Sequence, residues 1–354
     1  MFQWPCALRT RFRLGATIDS TTPLQDRAAL TRREVLREAL AGLARPAGEQ
    51  KSLPAWLFYD ERGSHLFEQI TELPEYYLTR IERSLFAAHA DEITAKVHAP
   101  VTLAELGAGH SAKTGLLLRA ALRRQPQVLY QPIDVSASAL HEAADSLSTE
   151  FPGIIVTSQV ANYITENYTI ERPADHRVLA LYIGSSIGNF SPVEQLEILR
   201  KLRTQLEPGD AFLLGVDMAP VPEASNGGAH KSVSTLVAAY DDAAGVTAAF
   251  NRNILTHLNR ELGADFHPDR FRHRALWNPT HSRVEMHLES DGAQIVHLGG
   301  QVLHFADGET IHTENSCKFT AEAVLTLLER SGFLPSLKFS DPAGFFSVTL
   351  ATAC

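Results

Sequence analysis

The chain has 354 residues, of which 44% are hydrophobic and 21% charged, and this composition is typical of a globular protein with a full core. The length indicates about two domains. Because 41 Asp and Glu residues outnumber 32 Lys and Arg residues, the formal net charge is −9. That balance argues against a general nucleic-acid binder, which needs a basic face to displace counterions.

The cysteines and the N-terminal segment bear on the cellular compartment. The three cysteines, Cys6, Cys317 and Cys354, form neither a disulfide framework nor a zinc-binding spacing. This usage favours a reducing compartment. Three arginines near the N-terminus precede no apolar segment, and no run of about 18 apolar residues occurs, so we expect neither a secretory signal nor a membrane span. We therefore expect a cytoplasmic protein without a membrane partner.

Helical periodicity marks the N-terminal part of the chain. Residues 1–24 show no regular pattern, so we expect irregular structure there. Apolar positions recur on one side of residues 28–44, and the Pro- and Gly-containing stretch that follows ends this helix. Gly63–Thr71 and Arg80–Ala95 predict two further helices.

From residue 101 onward, short apolar segments alternate with helical ones, and this order predicts β-α-β units around a parallel sheet. The predicted strands are Val101–Leu106, Val128–Val135, Ile154–Thr157, Val178–Ile183 and Ala211–Val216. The predicted helices are Ser111–Leu122, Ala137–Leu147 and one that begins after Ser191, where Pro192 and Glu194 complete a capping-box arrangement. The fold class is therefore α/β.

After the fifth strand the pattern changes. The Pro-, Gly- and Ser-rich stretch Ala219–Lys231 predicts a crossing loop, and a long helix is expected over Ser232–Leu262. Strict alternation over residues 283–288 is typical of a strand. The remaining predicted elements are strands over Ile295–Phe305, Thr310–Phe319 and Phe346–Ala351 and a helix over Thr320–Ser331.

A glycine-rich turn between the first predicted strand and its helix is the first candidate for ligand binding. Glycines let the main chain approach a ligand, and the N-terminus of the following helix favours polar or anionic groups. The spacing of Gly107, Gly109 and Ala112 matches a dinucleotide-binding pattern, so NAD is one alternative. Glu105 before the glycines and Lys113 after them favour S-adenosylmethionine (AdoMet), because Lys113 suits the carboxylate of a methionine tail. A merely tight strand–helix turn is the structural alternative.

Two polar residues follow other predicted strands. Asp134 ends the second strand, where a carboxylate accepts hydrogen bonds from ribose hydroxyls in open α/β sheets. It could equally cap the helix that begins near Ser136. Asn189 follows the fourth strand and offers both a donor and an acceptor, although it could also be an ordinary turn residue.

The fifteen histidines raise the question of a metal site. They form neither an H-E-x-x-H motif nor a Cys/His cluster, and those after residue 270 are scattered over predicted strands. We therefore expect no metal.

Several segments of the chain together carry a resemblance to a known family. They are Trp56–Ser64, Leu73–Tyr77, Glu105–Gly109, Gly184–Asn189, Ala239–Asn253, Arg283–Met286 and Thr313–Phe319. These segments resemble the L-histidine Nα-methyltransferase family of ergothioneine biosynthesis. The resemblance runs from about residue 50 to the C-terminus and is most specific in the long block Ala239–Asn253.

The resemblance implies a Rossmann-like class I methyltransferase domain and a smaller α+β substrate-binding domain. The implied boundaries are an N-terminal extension at 1–27, substrate-domain helices at 28–85, the AdoMet domain at 86–218, a substrate-domain insertion at 219–312 and a return to the AdoMet domain at 313–354. The implied activity is stepwise methylation of the α-amine of histidine by AdoMet, giving the trimethylated betaine hercynine. The family is implied to need no metal, and we expect a monomer that binds no nucleic acid.

The resemblance also assigns roles to individual residues. AdoMet would be held by Gly107, Lys113 and Asp134, with Asn162 and Tyr163 beside the adenine. Asn189 and Tyr240 would bind the substrate carboxylate. The other implied substrate residues are Tyr59 and Asn189 near the amine, Tyr76, Glu314 and Ser316 at the imidazole, and Met286 against the ring. Glu314 and Ser316 are two residues apart in a predicted strand, so both can point to one face.

Some positions depart from the family pattern, and other functions remain open. Asn162 replaces an Asp that the family usually places beside the adenine, and His110 and Ala112 differ from the usual glycine-loop residues. One alternative is a methyltransferase for another aromatic amino acid or for partly methylated histidine. A tryptophan derivative has little use for Glu314 and Ser316, because an indole offers one N–H and no acceptor nitrogen. A non-catalytic AdoMet-binding protein is a further alternative.

Overall fold

The computed structural model describes residues 10–14, 24–46, 48–109, 113–164, 166–220 and 231–354, with the main chain alone at 10–14 and 24–31. The chain divides into two compact units. Unit 1 contains Leu78–Lys231, Lys318–Cys354 and the N-terminal strand, and unit 2 contains Ile18–Tyr77 and Ser232–Cys317.

The described part of the chain contains helices, strands and three short 3-10 segments. The helices are α1 (Leu24–Leu43), α2 (Glu61–Thr71), α3 (Tyr77–Ala95), α4 (Thr114–Leu122), α5 (Ala137–Glu150), α6 (Pro192–Thr204), α7 (Val233–Ala238), α8 (Val246–Leu262) and α9 (Ala321–Arg330). Strands β1 to β7 are Thr10–Leu14, Lys51–Ser52, Val101–Leu106, Val128–Asp134, Ile154–Val160, Arg177–Tyr182 and Ala211–Asp217. Strands β8 to β14 are Phe271–Asn278, Arg283–Ser290, Gln294–Leu298, Gln301–Phe305, Thr310–Cys317, Phe333–Ser340 and Phe346–Ala353. The 3-10 segments are Ala55–Phe58, Ser186–Asn189 and Pro268–Arg270.

Unit 1 is built on an eight-stranded sheet with the order β1-β5-β4-β3-β6-β7-β14-β13. The first six strands in this order are parallel, whereas β14 pairs antiparallel with both β7 and β13. Every residue of β3 and of β7 is buried, as expected for central strands covered on both faces. Because these six strands are parallel, their carboxyl ends lie together along one edge of the sheet, which is where ligands bind in open α/β folds.

Local sequence explains where several helices of unit 1 begin. The Ser191 hydroxyl accepts from the Glu194 main-chain N–H while the Glu194 carboxylate accepts from the Ser191 N–H, which confirms the predicted capping box. Ser136 caps α5 and Thr320 caps α9, because each side chain accepts a hydrogen bond from a main-chain N–H of its helix.

Unit 2 contains a four-stranded sheet with the order β2-β12-β9-β8 and a separate hairpin formed by β10 and β11. Helix α8 packs against α2 and against strands β8 and β9. It buries Phe250, Ile254, Leu255 and Leu258. Burying side chains of this size is the main source of the stability of such a helix.

Two of the predicted elements were wrong because a turn interrupts them. The helix expected over Ser232–Leu262 is two helices, α7 and α8. Asp242 accepts hydrogen bonds from the main-chain N–H groups of Val246 and Thr247, and Gly245 has a left-handed φ of 75°, so a new helix starts at this point. The strand expected over Ile295–Phe305 is a hairpin that turns at Gly299 and Gly300, both with positive φ.

Other differences concern elements that the sequence did not reveal. Residues 10–14, expected to be irregular, form β1, which pairs in parallel with β5. Strands β8 and β13 were not predicted. The chain passes from one unit to the other after residues 77, 231 and 317. The boundaries expected from the sequence were after residues 85, 218 and 312. Most of the predicted loop 219–231 and the predicted helix start at Ser111 lie outside the described residues.

Candidate active site

The glycine-rich turn leaves β3 with two residues in the left-handed region. Gly107 has a φ of 66° and Gly109 a φ of 50°, conformations that favour glycine. The Gly107 N–H donates to the carbonyl of Ile133 at 2.9 Å, which ties the turn to the end of β4. A Cβ at Gly107 would come within 3.3 Å of the Tyr163 hydroxyl, so the lack of a side chain also allows close packing.

Asp134, at the end of β4, supports this turn directly. One carboxylate oxygen accepts from the Gly109 N–H at 2.9 Å, and the other accepts from the Ser136 N–H at 2.9 Å. The residue is 9% exposed. Asp134 therefore orders both the glycine turn and the start of α5, and its carboxylate lies at the edge of the sheet where a ribose is usually held.

Lys113 pairs with a buried carboxylate that the sequence analysis missed. Its ammonium group forms an ion pair with Glu82 of α3, a residue that is fully buried. The second oxygen of Glu82 accepts from the Gly184 N–H at 2.8 Å. A Cβ at Gly215 would collide with Glu82 Oε1. A Cβ at Gly184 would lie 2.9 Å from Lys113 Nζ. Glycines at these two positions therefore leave room for the ion pair.

Glu105, just before the glycine turn, is a second buried carboxylate. Both the Thr114 and Tyr130 hydroxyl groups donate to its Oε2. Burial raises the pKa of Glu105 to about 7, although these two hydrogen bonds and the charge of Lys113 act in the opposite direction. Glu105 thus links the base of the glycine turn to α4 and to β4.

Asn162 and Tyr163 follow β5. The Asn162 side-chain oxygen accepts from the Ile164 N–H at 3.1 Å, and the Tyr163 hydroxyl lies 3.2 Å from that of Tyr182. The two tyrosine rings meet edge to face with centroids 5.7 Å apart. Burial raises the pKa of Tyr163, so its hydroxyl stays protonated as a hydrogen-bond donor.

Asn189 ends the 3-10 segment after β6 and is half-buried. The turn before it includes Ser185 in a left-handed conformation, with a φ of 62°. This conformation is held by β7, because the Ser185 hydroxyl accepts from the Asp217 N–H at 2.9 Å and its own N–H donates to Gly215 at 3.2 Å. Neighbouring strands therefore fix the main chain just before Asn189.

In unit 2, a β-bulge brings three predicted substrate residues to one face of the sheet. His312 pairs with His287, but Glu314 pairs with Met286 and Ser316 with Val284, so Thr313 is the extra residue. Residues opposite each other on an antiparallel ladder share a face. Met286, Glu314 and Ser316 therefore point to the same side, and all three are at most 9% exposed.

Tyr240 joins this group. It follows α7, and its hydroxyl lies 2.7 Å from Ser316 Oγ in a buried hydrogen bond. The Tyr240 ring meets that of Tyr76 edge to face, with the centroids 6.2 Å apart. The structure thus places Tyr76, Tyr240 and Ser316 next to one another.

The aromatic cluster of unit 2 continues through two rings that the sequence analysis did not single out. Phe67 of α2 contacts both Tyr59 and Tyr76 edge to face, at 5.9 and 6.3 Å between centroids. Phe250 of α8 contacts both Tyr59 and Phe67, at 5.9 and 6.0 Å. A contact between rings from α2 and α8 carries no sequence signal, because the two helices are almost 200 residues apart.

The histidines of β9 and β12 are not scattered as expected. His287 and His312 stack with centroids 4.8 Å apart, and Glu285 lies close enough that the three could offer ligand atoms within 4.8 Å of one another. These groups already bond to the protein. His287 Nε2 donates to Glu285 at 3.1 Å, His312 Nε2 donates to the Glu314 carbonyl at 3.0 Å, and Glu285 also accepts from Arg283. The cluster therefore supports the strand that carries Glu314.

The predicted site residues divide between the two units. Unit 1 contains Gly107, Lys113, Asp134, Asn162, Tyr163 and Asn189. Unit 2 contains Tyr59, Tyr76, Tyr240, Met286, Glu314 and Ser316. All residues expected to hold AdoMet are therefore in unit 1, and all those expected at the imidazole are in unit 2.

The fold and the glycine turn define the class of protein. A parallel sheet closed by an antiparallel β14, with a glycine turn after β3 and an acidic residue ending β4, is the architecture of the class I AdoMet-dependent methyltransferases. Within that class, the chain belongs to a family described as histidine-specific, SAM-dependent methyltransferases, whose family model matches residues 35–353.

Named relatives agree with this assignment. The chain is 42% identical over 317 residues to a histidine N-alpha-methyltransferase of Mycolicibacterium smegmatis, covering 89% of this chain and 94% of the relative. It is 40% identical to the protein of the same name from Mycobacterium tuberculosis, with the same coverage. It is 28% identical to the N-methyltransferase imqF of Aspergillus flavus, covering 92% of this chain and 87% of that protein. Within the described residues, no helix has the length and apolarity needed to cross a membrane.

Proposed function

We propose that this methyltransferase transfers methyl groups from AdoMet to the α-amine of L-histidine and continues to the trimethylated betaine hercynine. The observation that carries the proposal is the shared face of Met286, Glu314 and Ser316, with the Tyr240 hydroxyl bonded to Ser316. This face combines a carboxylate, hydroxyl groups and an apolar thioether in a buried setting, which suits an imidazole.

The polar groups of this face match the two nitrogens of a neutral imidazole. The Glu314 carboxylate accepts the ring N–H, and the Ser316 hydroxyl donates to the other nitrogen. Met286 packs against the ring face. The Tyr240 hydroxyl lies 2.7 Å from Ser316 Oγ, and if Ser316 accepts this bond its own proton stays available for the imidazole nitrogen.

The residues of unit 1 fit the parts of AdoMet, which supplies an electrophilic methyl group on its sulfonium. Asp134 would hold the ribose hydroxyls, and the N-terminal turn of α4 with Lys113 would hold the tail carboxylate. Asn162 and Tyr163 would flank the adenine. The ion pair with Glu82 holds the Lys113 side chain in place at this end of the sheet.

The amine must be neutral to act as a nucleophile, since a protonated amine has no lone pair. Tyr59 is the group proposed to orient the amine or to carry its proton away towards water. Asn189 is proposed to bind the amine and the carboxylate. The rings around Tyr59 tolerate the alkylammonium product, a contact worth about 1–2 kcal/mol when desolvated. Alignment and desolvation provide most of the catalysis, because positive charge moves from sulfur to nitrogen and none is created.

The main rival is methylation of another aromatic amino acid. An indole offers one N–H and no acceptor nitrogen, so it would form only one of the two hydrogen bonds that an imidazole makes with Glu314 and Ser316, a loss of about 1 kcal/mol or more. This difference favours histidine over tryptophan by roughly fivefold or more.

The test is to incubate the purified chain with AdoMet and each of the twenty amino acids and to read mass increases of about 14 Da for each methyl group. We expect products only with histidine, ending at three added methyl groups. Equal turnover of tryptophan or phenylalanine would overturn the substrate assignment, whereas a product that stops at one or two methyl groups would overturn only the extent of methylation.

We further propose that the enzyme acts as a cytoplasmic monomer without a metal or a nucleic-acid partner. The net charge of −9 supports the absence of a nucleic-acid partner. The hydrogen bonds from His287 Nε2 to Glu285 and from His312 Nε2 to the Glu314 carbonyl support the absence of a metal at these two nitrogens. Light scattering of the purified protein and activity after treatment with a chelator test these points.

A further inference from the structure

A side chain on α8 holds the bulge that orients the imidazole-facing residues. The Thr313 hydroxyl lies 2.7 Å from Oδ1 of Asn251 and 3.0 Å from the Met286 carbonyl. Thr313 is 1% exposed and Asn251 is fully buried. Thr313 is also the extra residue of the bulge, so the hydrogen bond from α8 reaches the one position that decides which face Glu314 and Ser316 take.

The same amide also reaches the main chain at Tyr240. Asn251 Nδ2 donates to the His287 carbonyl at 3.0 Å and lies 2.8 Å from His273 Nδ1. Because an amide nitrogen can only donate, His273 Nδ1 is the acceptor and the ring proton is on Nε2. That Nε2–H donates to the Tyr240 carbonyl at 2.8 Å. One buried amide therefore connects the bulge on β12, the strand β9 and the residue that carries the Tyr240 ring.

We infer that Asn251 is a positioning residue for substrate binding: it fixes the bulge at Thr313 and, through His273, the main chain at Tyr240. This inference rests on the proposed function. It explains why an Asn is needed at this place on α8, since the position requires an acceptor for a hydroxyl and donors for a carbonyl and an imidazole. No other uncharged side chain of this size offers both.

Loss of the bulge should weaken histidine binding and leave AdoMet binding unchanged. Without the extra residue, the alternation along β12 would turn Glu314 and Ser316 to the face opposite Met286. Loosening the bulge therefore disturbs histidine binding, whereas the AdoMet residues are all in unit 1 and keep their contacts. A general loss of stability would affect both substrates.

The experiment compares Thr313→Val, Thr313→Ser and Asn251→Asp with the full-length wild-type enzyme. Thr313→Val removes the hydroxyl at nearly constant volume, and Thr313→Ser restores it. Asn251→Asp keeps an acceptor for Thr313 but removes both donors. The matched control is Thr310→Val, on the same strand before the bulge, whose hydroxyl bonds with the exposed Gln50 side chain.

We expect Thr313→Val to raise the KM for histidine about tenfold, the effect of one lost buried hydrogen bond, with an AdoMet Kd within twofold of the wild type. Thr313→Ser and Thr310→Val should keep the wild-type histidine KM, and Asn251→Asp should raise it at least as much as Thr313→Val. An unchanged histidine KM in Thr313→Val, or an equal weakening of AdoMet, would overturn the inference. If Thr313→Val does not fold, the histidine KM and the AdoMet Kd of Asn251→Asp test the inference in its place.

Wild-type turnover separates this inference from the proposed function. A wild-type enzyme that does not methylate histidine contradicts the proposed function. An active wild type whose histidine KM does not respond to Thr313→Val and Asn251→Asp contradicts only the positioning role.

Discussion

The hydroxyl oxygen of Tyr240 lies 2.7 Å from Oγ of Ser316, although the two residues are 76 positions apart. Tyr240 follows α7, and Ser316 is on β12 beyond the bulge. Both side chains are buried, so the bond forms away from bulk water. Two groups expected at different ends of an amino-acid substrate are thus bonded to each other, so each hydroxyl helps to fix the position of the other.

This bond should be visible as coupling between the two residues. Tyr240→Phe and Ser316→Ala each remove it, and each should lower the free energy of unfolding by about 1 kcal/mol. Because the bond can be lost only once, the double variant should lose clearly less than the sum. Urea unfolding of the four proteins measures the cycle, and Tyr240→Phe combined with Thr310→Val serves as the additive control. Full additivity for Tyr240 and Ser316 would show that the bond contributes nothing.

Glu314 should govern histidine affinity. Glu314→Gln keeps the size of the side chain but removes its charge, and hydrogen bonds to charged groups contribute about 1.5–3 kcal/mol. The histidine KM should therefore rise about tenfold or more, while the AdoMet Kd stays unchanged. Glu289→Gln, on the opposite face of the same sheet, is the matched control and should keep the wild-type KM. Unchanged kinetics in Glu314→Gln would contradict the role at the imidazole.

Much of unit 1 could be predicted from the sequence because its signals are local. The strand Val101–Leu106, the glycine turn and the capping box at Ser191 each depend on residues within a few positions of one another. The prediction of one long helix after residue 232 was wrong because the periodic apolar pattern hid a local break. The apolar periodicity continues across the break, and only the cap at Asp242 and the conformation of Gly245 divide the helix.

The site in unit 2 was harder to predict because its geometry depends on distant partners. Spacing alone places Glu314 and Ser316 on one face, and that expectation is confirmed by the ladder. Their shared face with Met286 depends on the bulge at Thr313, which is held by Asn251 from 62 positions away. Phe67 and Phe250 were missed for the same reason: Phe67 belongs to no recognised segment, Phe250 has no role of its own within the block Ala239–Asn253, and their contact exists only in the fold.

The Glu82–Lys113 pair predicts a characteristic stability pattern. Lys113→Met removes the partner of a fully buried carboxylate, and breaking such a pair costs about 3 kcal/mol or more. The double variant Glu82→Gln/Lys113→Met removes the buried charge as well, and it should recover a large part of the lost stability. Thermal unfolding without AdoMet measures this. A double variant no more stable than Lys113→Met would contradict a stabilising role of the Glu82–Lys113 pair.

Glu105 predicts a dependence of stability on pH. Its pKa is raised to about 7 in the folded protein from an ordinary value of 4.5, so the folded state holds the proton more tightly than the unfolded state. The stabilisation from this group is complete below about pH 4.5 and is lost as the pH rises through about 7. Glu105→Gln keeps an acceptor for Thr114 and Tyr130 but cannot ionise. The wild-type Tm should therefore fall relative to that of Glu105→Gln between pH 5 and pH 8, as measured by calorimetry in matched buffers; a Tm difference that stays constant over this range would show that Glu105 does not titrate there.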